Sequence, residues 1–302
     1  MPPRELADCL VIGAGPAGMT AGLYLRRFHR AVTIVGGDDS RAALIPVSHN
    51  YPGFPDGIPG TALLDRLRRQ LAEVDGEVTP GRVDALGRAD EGFEARVGDA
   101  IVRARTVVMA TGILDREPSV PGIADLRKRG LLRQCPICDG YEFTGRRIAV
   151  IGAGDHGARE ALFLRNYSER VTFVAIDDAH MPPEAAAAQL RARGIDVVRG
   201  QVAAATPEGD GVRLKLAGGT SHAFDVLYAA LGATPRADLA RALGAAADDI
   251  GALVVDAHCR TTVPGLYAAG DVVHGLDQLA VSVGQAAIAA TAIHNDLRAR
   301  GL

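Results

Sequence analysis

An apolar strand-like run that leads into G-x-G-x-x-G occurs twice in this chain, and that repeat constrains the fold more than any other feature. In "DCLVIGAGPAGMTAGLYLRR" residues 8–12 form a short β-branched run of the kind buried in a parallel sheet. Gly13, Gly15 and Gly18 follow, and helical spacing continues through "AGMTAGLYLRR". A second strand, "AVTIVGG", brings Asp38 about 20 residues past the last glycine. Bare backbone lets a pyrophosphate approach the helix N-terminus, and a carboxylate beyond the second strand can accept from a ribose hydroxyl. The plan recurs in "RRIAVIGAGDHGAREALFLRN", with Gly152, Gly154 and Gly157, then "RVTFVAI" ending at Asp177 and Asp178. Each copy is closed by an apolar strand with a terminal glycine, "TVVMATG" and "DVLYAALG". The Gly-punctuated β-rich stretches between read as small antiparallel excursions. The pattern predicts an α/β chain with two Rossmann-like dinucleotide-binding domains of three-layer β-β-α character.

The tail, "TTVPGLYAAGDVVHGLDQLAVSVGQAAIAATAIHNDL", adds a strand and a long small-residue helix that match neither copy's interior. The simplest topology returns it to the first unit. That unit is then discontinuous, 1–117 with 244–302, around an inserted domain over 118–243. A net charge of −3 over 302 residues, with no basic run, argues against nucleic acid or an anionic membrane surface as partner. No signal peptide is evident in "MPPRELADCLVIGAG", and the apolar segment from Leu279 is interrupted by Gln285 and too short to span a bilayer. A cytoplasmic address is the default expectation.

"RQCPICDGYE" separates two cysteines by two residues. A zinc site needs four ligands, and neither a second C-x-x-C nor an H-x-x-x-H is present to complete one, so no metal is expected. Cys9 and Cys259 fall in predicted strands of the other domain and read as small core hydrophobes. Inert buried thiols leave the intervening Pro136 and the polar flanks Gln134 and Asp139 without a purpose. The remaining reading is a redox dithiol, in which one thiolate attacks and the second resolves the mixed disulfide. Asp139 also suits the first position of a D-G turn.

In order and spacing, "GAGPAG", "HNYPGFPDGIPG", "MATG", "CPICDG", "GAGDHG" and "AAGDV" resemble the low-molecular-weight, bacterial-type thioredoxin reductases over essentially the whole chain. The resemblance implies FAD in the first domain, a pyridine nucleotide in the inserted one, and a homodimer whose domains rotate between two working states. It implies that Gly13, Gly15 and Gly18 carry the FAD pyrophosphate and that Thr111 and Gly112 lie near the adenosine. Asn50 is implied beside the isoalloxazine, Asp271 at the ribityl or phosphate region, and Gln278 with the following helix at the pyrimidine edge. Cys138 is then the flavin-proximal sulfur, Cys135 the outward nucleophile and Asp139 the proton shuttle. The implied substrate is a thioredoxin-like protein or a low-molecular-weight disulfide. His156, in the second glycine turn, is placed either at the nucleotide phosphate or in a solvated loop.

The resemblance fails at one place. Where the family carries a histidine and arginines for the NADPH 2′-phosphate, this chain has Ala175, Ile176, Asp177 and Asp178, with Met181 beyond. Like charges at about 4 Å repel by roughly 1 kcal/mol in water and about 4 at an effective dielectric of 20. NADPH is therefore not the expected donor. NADH, with Asp177 on the ribose hydroxyls, is one replacement, and a protein donor such as ferredoxin is another. A flavin-dependent dithiol oxidase is a third reading, although those enzymes typically carry histidine where this chain has Asp139. A non-catalytic flavin redox sensor is the remaining alternative.

Overall fold

The computed structural model describes residues 6–302. The chain opens with β1 (Ala7–Ile12), α1 (Pro16–Arg27), β2 (Val32–Gly36), α2 (Gly60–Ala72) and β3 (Val78–Pro80). A meander of β4 (Ala85–Ala89), β5 (Gly92–Val97) and β6 (Ala100–Met109) follows, and β7 (Ile113–Asp115) leads out of the unit. The next stretch comprises α3 (Ile123–Lys128), β8 (Leu132–Arg133), α4 (Pro136–Asp139), β9 (Ile148–Gly152), α5 (Gly154–Leu164), β10 (Val171–Ala175), α6 (Glu184–Ala192) and β11 (Asp196–Val198). It ends with β12 (Val202–Glu208), β13 (Gly211–Leu216), β14 (Ser221–Phe224) and β15 (Val226–Ala230). The chain returns through β16 (Ala233–Pro235) to α7 (Asp238–Ala242), β17 (Leu266–Ala268) and α8 (Leu279–Ala299). Two compact units result: residues up to Leu114 with Thr234–Leu302, and Asp115–Ala233.

In the first unit the sheet order is β3-β2-β1-β6-β5-β4, with β17 also pairing β6. Its β1, β2, β3, β6 and β17 run parallel, whereas β4, β5 and β6 form an antiparallel meander. Alternation along β1 explains the layers. Cys9 and Val11 join a core with α1 and α8, while Leu10 and Ile12 join a second core with β5, β17 and α7. Small side chains on the buried faces of α1 (Ala17, Ala21) and α8 (Ala286, Ala289, Ala290) let these helices share one core.

The second unit repeats the design in smaller form, with a parallel sheet of order β11-β10-β9-β15-β8 and an antiparallel layer β12-β13-β14. Ile148 and Val150 of β9 pack with α5 on one face. Ala149 and Ile151 pack with the three-stranded layer on the other. A strand buried on both faces must be apolar throughout, and β9 is fully buried over its length.

The units divide at 114/115 and 233/234, where the sequence reading put 117/118 and 243/244, and two local details also differ from it. Cys259 is buried but lies in a turn at φ 59° instead of a strand. The two-residue strand β8, just ahead of the first cysteine of the pair, is too short to show a period of two and is visible only through its pairing with β15.

Candidate active site

The turn between β1 and α1 is built of backbone. A Cβ at Gly13 would lie 2.1 Å from the carbonyl oxygen of Ala110, and one at Gly18 would lie 1.9 Å from that of Gly13. Gly13 also has φ +113°, which side chains rarely adopt. Gly15 closes the turn as the N-cap of α1, with Pro16 at the first helical position and no acidic residue in the first turn. No carboxylate of the helix's own first turn competes for its N-terminal N–H groups, so this terminus suits a pyrophosphate. The cradle fits the FAD that the sequence reading assigns to it.

Other residues of the first unit assigned to FAD are also placed. Asp38 lies beyond β2, fully exposed, paired with Arg68 at 2.9 Å. The Thr111 hydroxyl donates to the Arg236 carbonyl at 2.6 Å, and Gly112 follows at φ +67°. Asp271 accepts from Arg41 at 3.2 Å and from the Ser282 hydroxyl at 3.1 Å, which ties the end of β17 to the start of α8. The Asn50 amide donates to Gln278 at 2.8 Å, and Gln278 is the N-cap of α8. Thus Asn50 and Gln278 meet, whereas Asp38 engages α2. Arg41 and Ser282, which hold Asp271, carry no signal in the local sequence pattern.

In the second unit, Gly152 and Gly157 face each other so closely that a Cβ on either would lie 2.7–2.8 Å from the other's Cα. Gly154 begins α5 at φ +53°. This turn fits a dinucleotide, yet its first helical turn contains Asp155. His156 pairs with Glu160 at 3.0 Å along α5. Asp177, past the end of β10, accepts from the His180 backbone N–H at 3.0 Å and from its ring Nδ1 at 2.7 Å. The His180 ring holds the Asp177 carboxyl below the ordinary carboxylate range. An aspartate at the start of a helical turn is a readable cap for the backbone N–H, but nothing in the local pattern names the His180 ring as its second partner.

Cys135 and Cys138 form a closed disulfide. Cys135 caps α4 and Cys138 lies within that one-turn helix, their Cα atoms 5.3 Å apart. Pro136 starts α4 where its missing N–H costs nothing. Both cysteines are half-buried. Gly140 ends the helix at φ −60°, so it is not there for a left-handed turn. A Cβ on it would lie 2.6 Å from the Pro136 carbonyl and 2.6 Å from the Tyr167 ring. Gly140→Ala is therefore expected to push α4 off Tyr167 and lower stability by about 1–3 kcal/mol. A melting curve of the oxidised protein checks this, and an unchanged Tm contradicts it.

Asp139 turns inward. Tyr228 of β15 donates its hydroxyl to Oδ1 at 2.6 Å, and Arg133 of β8 reaches Oδ2 at 3.2 Å. Burial raises the Asp139 carboxyl above its usual range, with the Tyr228 hydrogen bond and Arg133 acting in the opposite direction. The remaining cysteines are unlike this pair: burial pushes Cys9 up to about 12 and Cys259 up to about 11. Burial thus disfavours the thiolate of both, in keeping with core packing. Among the described residues no group of histidine, cysteine and acidic side chains could hold a metal ion.

Two nucleotide folds plus a C-x-x-C disulfide define a flavoprotein disulfide oxidoreductase. The family model of the pyridine nucleotide-disulphide oxidoreductases matches residues 7–286. A thioredoxin reductase of Mycolicibacterium smegmatis is 31% identical over 298 residues, 95% of each chain. A bifunctional thioredoxin reductase/thioredoxin of Mycobacterium leprae is 32% identical, over 89% of this chain and 61% of that one. Among solved structures, thioredoxin reductase from Streptococcus pyogenes superposes with TM-score 0.90 at 29% identity, covering 98% of this chain and 100% of the other. The chain belongs to the pyridine nucleotide-disulphide oxidoreductases, in their low-molecular-weight thioredoxin reductase branch. It is an FAD-dependent disulfide oxidoreductase, and its family implies FAD together with a nicotinamide cofactor.

Proposed function

We propose that this enzyme works as a reductase, taking electrons from NADH in preference to NADPH and delivering them through Cys135 and Cys138 to a thioredoxin-like protein or a small disulfide. The observation that favours this direction is Asp139 directly after Cys138, where the dithiol oxidases carry histidine; the Cys135–Cys138 disulfide in the same helical turn is the redox pair that either direction needs. FAD, held by the Gly13, Gly15 and Gly18 turn, supplies a two-electron carrier between nicotinamide and disulfide. Asn50, Asp271 and Gln278 are assigned to its ring and phosphate ends, Thr111, Gly112 and Asp38 to its adenosine side.

On the substrate side the chain's own residues perform ordinary thiol–disulfide exchange. The Cys135 thiolate attacks one sulfur of the substrate disulfide, forms a mixed disulfide and expels a thiolate. Asp139 gives that leaving thiolate a proton. Cys138 then attacks Cys135, the protein disulfide re-forms, and the second substrate sulfur leaves as a thiol. Each cycle converts one substrate disulfide into two thiols while one protein dithiol is oxidised. The Mycobacterium leprae relative, whose name joins reductase and thioredoxin, supports a thioredoxin-like substrate. We further take the enzyme to act as a homodimer in the cytoplasm, as its resemblance to the branch implies; among the described residues no helix is long and apolar enough to cross a membrane.

Donor choice rests on the end of β10. Asp177 and Asp178 stand there, and Asp177 is held ionised by His180. A cavity of about 290 Å³ beside Met181 is lined by Arg191 and Arg199, but Asp196 shares it and Glu184 pairs with Arg191. A ribose hydroxyl can donate to Asp177, whereas a 2′-phosphate is repelled by it. Anaerobic rapid mixing of the FAD-loaded enzyme with each nicotinamide is expected to bleach the flavin at least about tenfold more efficiently with NADH, the factor that 1.4 kcal/mol supplies. Equal or reversed efficiencies contradict the preference. Failure of both nicotinamides contradicts nicotinamide-linked reduction and points to a protein donor such as ferredoxin.

A further inference from the structure

Arg133 and Tyr228 are register partners in the parallel pair of β8 and β15, so their side chains leave the same face of the sheet. Both meet Asp139 there, one oxygen each. Tyr228 is completely buried in a strand whose other residues are Val, Leu and Ala, and its hydroxyl has a carboxylate as acceptor. Arg133 lies over the ring of Phe143 at 5.3 Å, and that ring stands edge-on to Tyr228 at 6.2 Å. The guanidinium is thereby fixed from its flat side while one of its N–H groups reaches Asp139. A half-buried carboxylate gripped on both oxygens by residues of two different strands is a positioned group, not a free surface acid.

We propose that Tyr228 and Arg133 are positioning residues for thiol–disulfide exchange: they fix the Asp139 carboxyl beside the Cys135/Cys138 helix and stabilise the carboxylate that forms when it gives its proton to a leaving thiolate. This rests on the reductase reading above. The step is balanced: the Asp139 carboxyl and a thiolate become a carboxylate and a thiol, with no change in oxidation state. The surroundings divide by sign. Burial and the charge of Glu142, in the turn after α4, favour the protonated acid, while Tyr228 from β15 and Arg133 from β8 favour the anion. Near α5, the contact with α4 at Gly140 is the ring of Tyr167. These opposing influences act on one carboxyl, and burial prevails, leaving it above the ordinary carboxylate range.

The test is a carboxyl-carbon NMR titration of protein labelled at the aspartate γ-carbon, with the Asp139 resonance assigned by its absence in D139N. Tyr228→Phe keeps the ring and removes one donor to the anion, so the midpoint is expected to rise by about one pH unit. Arg133→Gln is expected to raise it as well, and Arg133→Lys to restore most of the difference. In turnover with a disulfide substrate, the alkaline limb of the kcat profile should move by the same amount in each variant. A Tyr228→Phe midpoint that coincides with the parent's overturns the proposal, as does a limb that stays put while the midpoint moves. Should Tyr228→Phe fold poorly, the Arg133 pair of variants decides by the same two readouts. Undiminished turnover in C138S would instead sink the reductase reading, and the NMR midpoints would still report on the clamp by themselves.

Discussion

Replacing Cys138 with serine is expected to reduce disulfide turnover by at least about a thousandfold, because a missing member of a catalytic unit leaves only background chemistry. Serine keeps nearly the shape of the side chain in α4 but cannot form or resolve a disulfide with Cys135. The remaining Cys135 thiolate can still attack a substrate disulfide, so the variant should accumulate a mixed disulfide with it. Mass spectrometry of the variant after incubation with oxidised thioredoxin would show an adduct on Cys135, together with loss of steady-state activity. The Cys135→Ser variant should show no such adduct, since the outward nucleophile is gone. Near-parental turnover in C138S would mean that the 135/138 disulfide lies off the electron path.

Loss of flavin is the expected result of Gly18→Ala. The added methyl would stand 1.9 Å from the Gly13 carbonyl oxygen and 2.9 Å from its carbon, and both atoms are backbone. No rotamer relieves such a clash, so the turn between β1 and α1 must open and α1 must move off β1. A pyrophosphate held by N–H groups at the helix N-terminus is sensitive to displacements of this size. FAD affinity is expected to fall at least about a hundredfold, equivalent to roughly 2.8 kcal/mol. The ratio of flavin to protein absorbance after reconstitution reads this directly. Gly87→Ala is the control, since that glycine has open space around the position of a Cβ. It should retain flavin, and full flavin retention by Gly18→Ala would contradict the role given to the turn.

The two nucleotide folds were legible because their signals are local. An apolar run, three glycines and a helix occupy about 20 consecutive residues, and a period of two or 3.6 shows within such a window. The strand that closes the first fold shows the limit. Only its second half, around "TVVMATG", reads as buried, yet β6 starts at Ala100. Its first half pairs with β5 in the antiparallel meander and alternates between exposed and buried, so no single pattern covers the whole strand.

The cysteine pair was readable for the same local reason, and its closure into a disulfide agrees with the redox reading. What surrounds it was not. Tyr228 lies 89 residues from Asp139, and neither residue encodes that distance. The one available signal was a tyrosine in an otherwise aliphatic strand, since a buried phenol usually finds a partner. Nothing named the partner. Gly140 shows the same limit: next to an aspartate it suggests a turn, which the structure has there, but its close contact with Tyr167 is invisible in the local pattern. Partner identity in the core is set by register between strands distant in sequence, and composition is silent on it.

On the reading proposed, electrons from a reduced nicotinamide reach the Cys135/Cys138 pair. The most direct measurement is to add NADH anaerobically to the oxidised, FAD-loaded enzyme, trap with an alkylating reagent and map the label by peptide mass. Both Cys135 and Cys138 are expected to become labelled, with Cys9 and Cys259 unlabelled while the protein stays folded. A flavin that bleaches fully while Cys135 and Cys138 remain joined would contradict it.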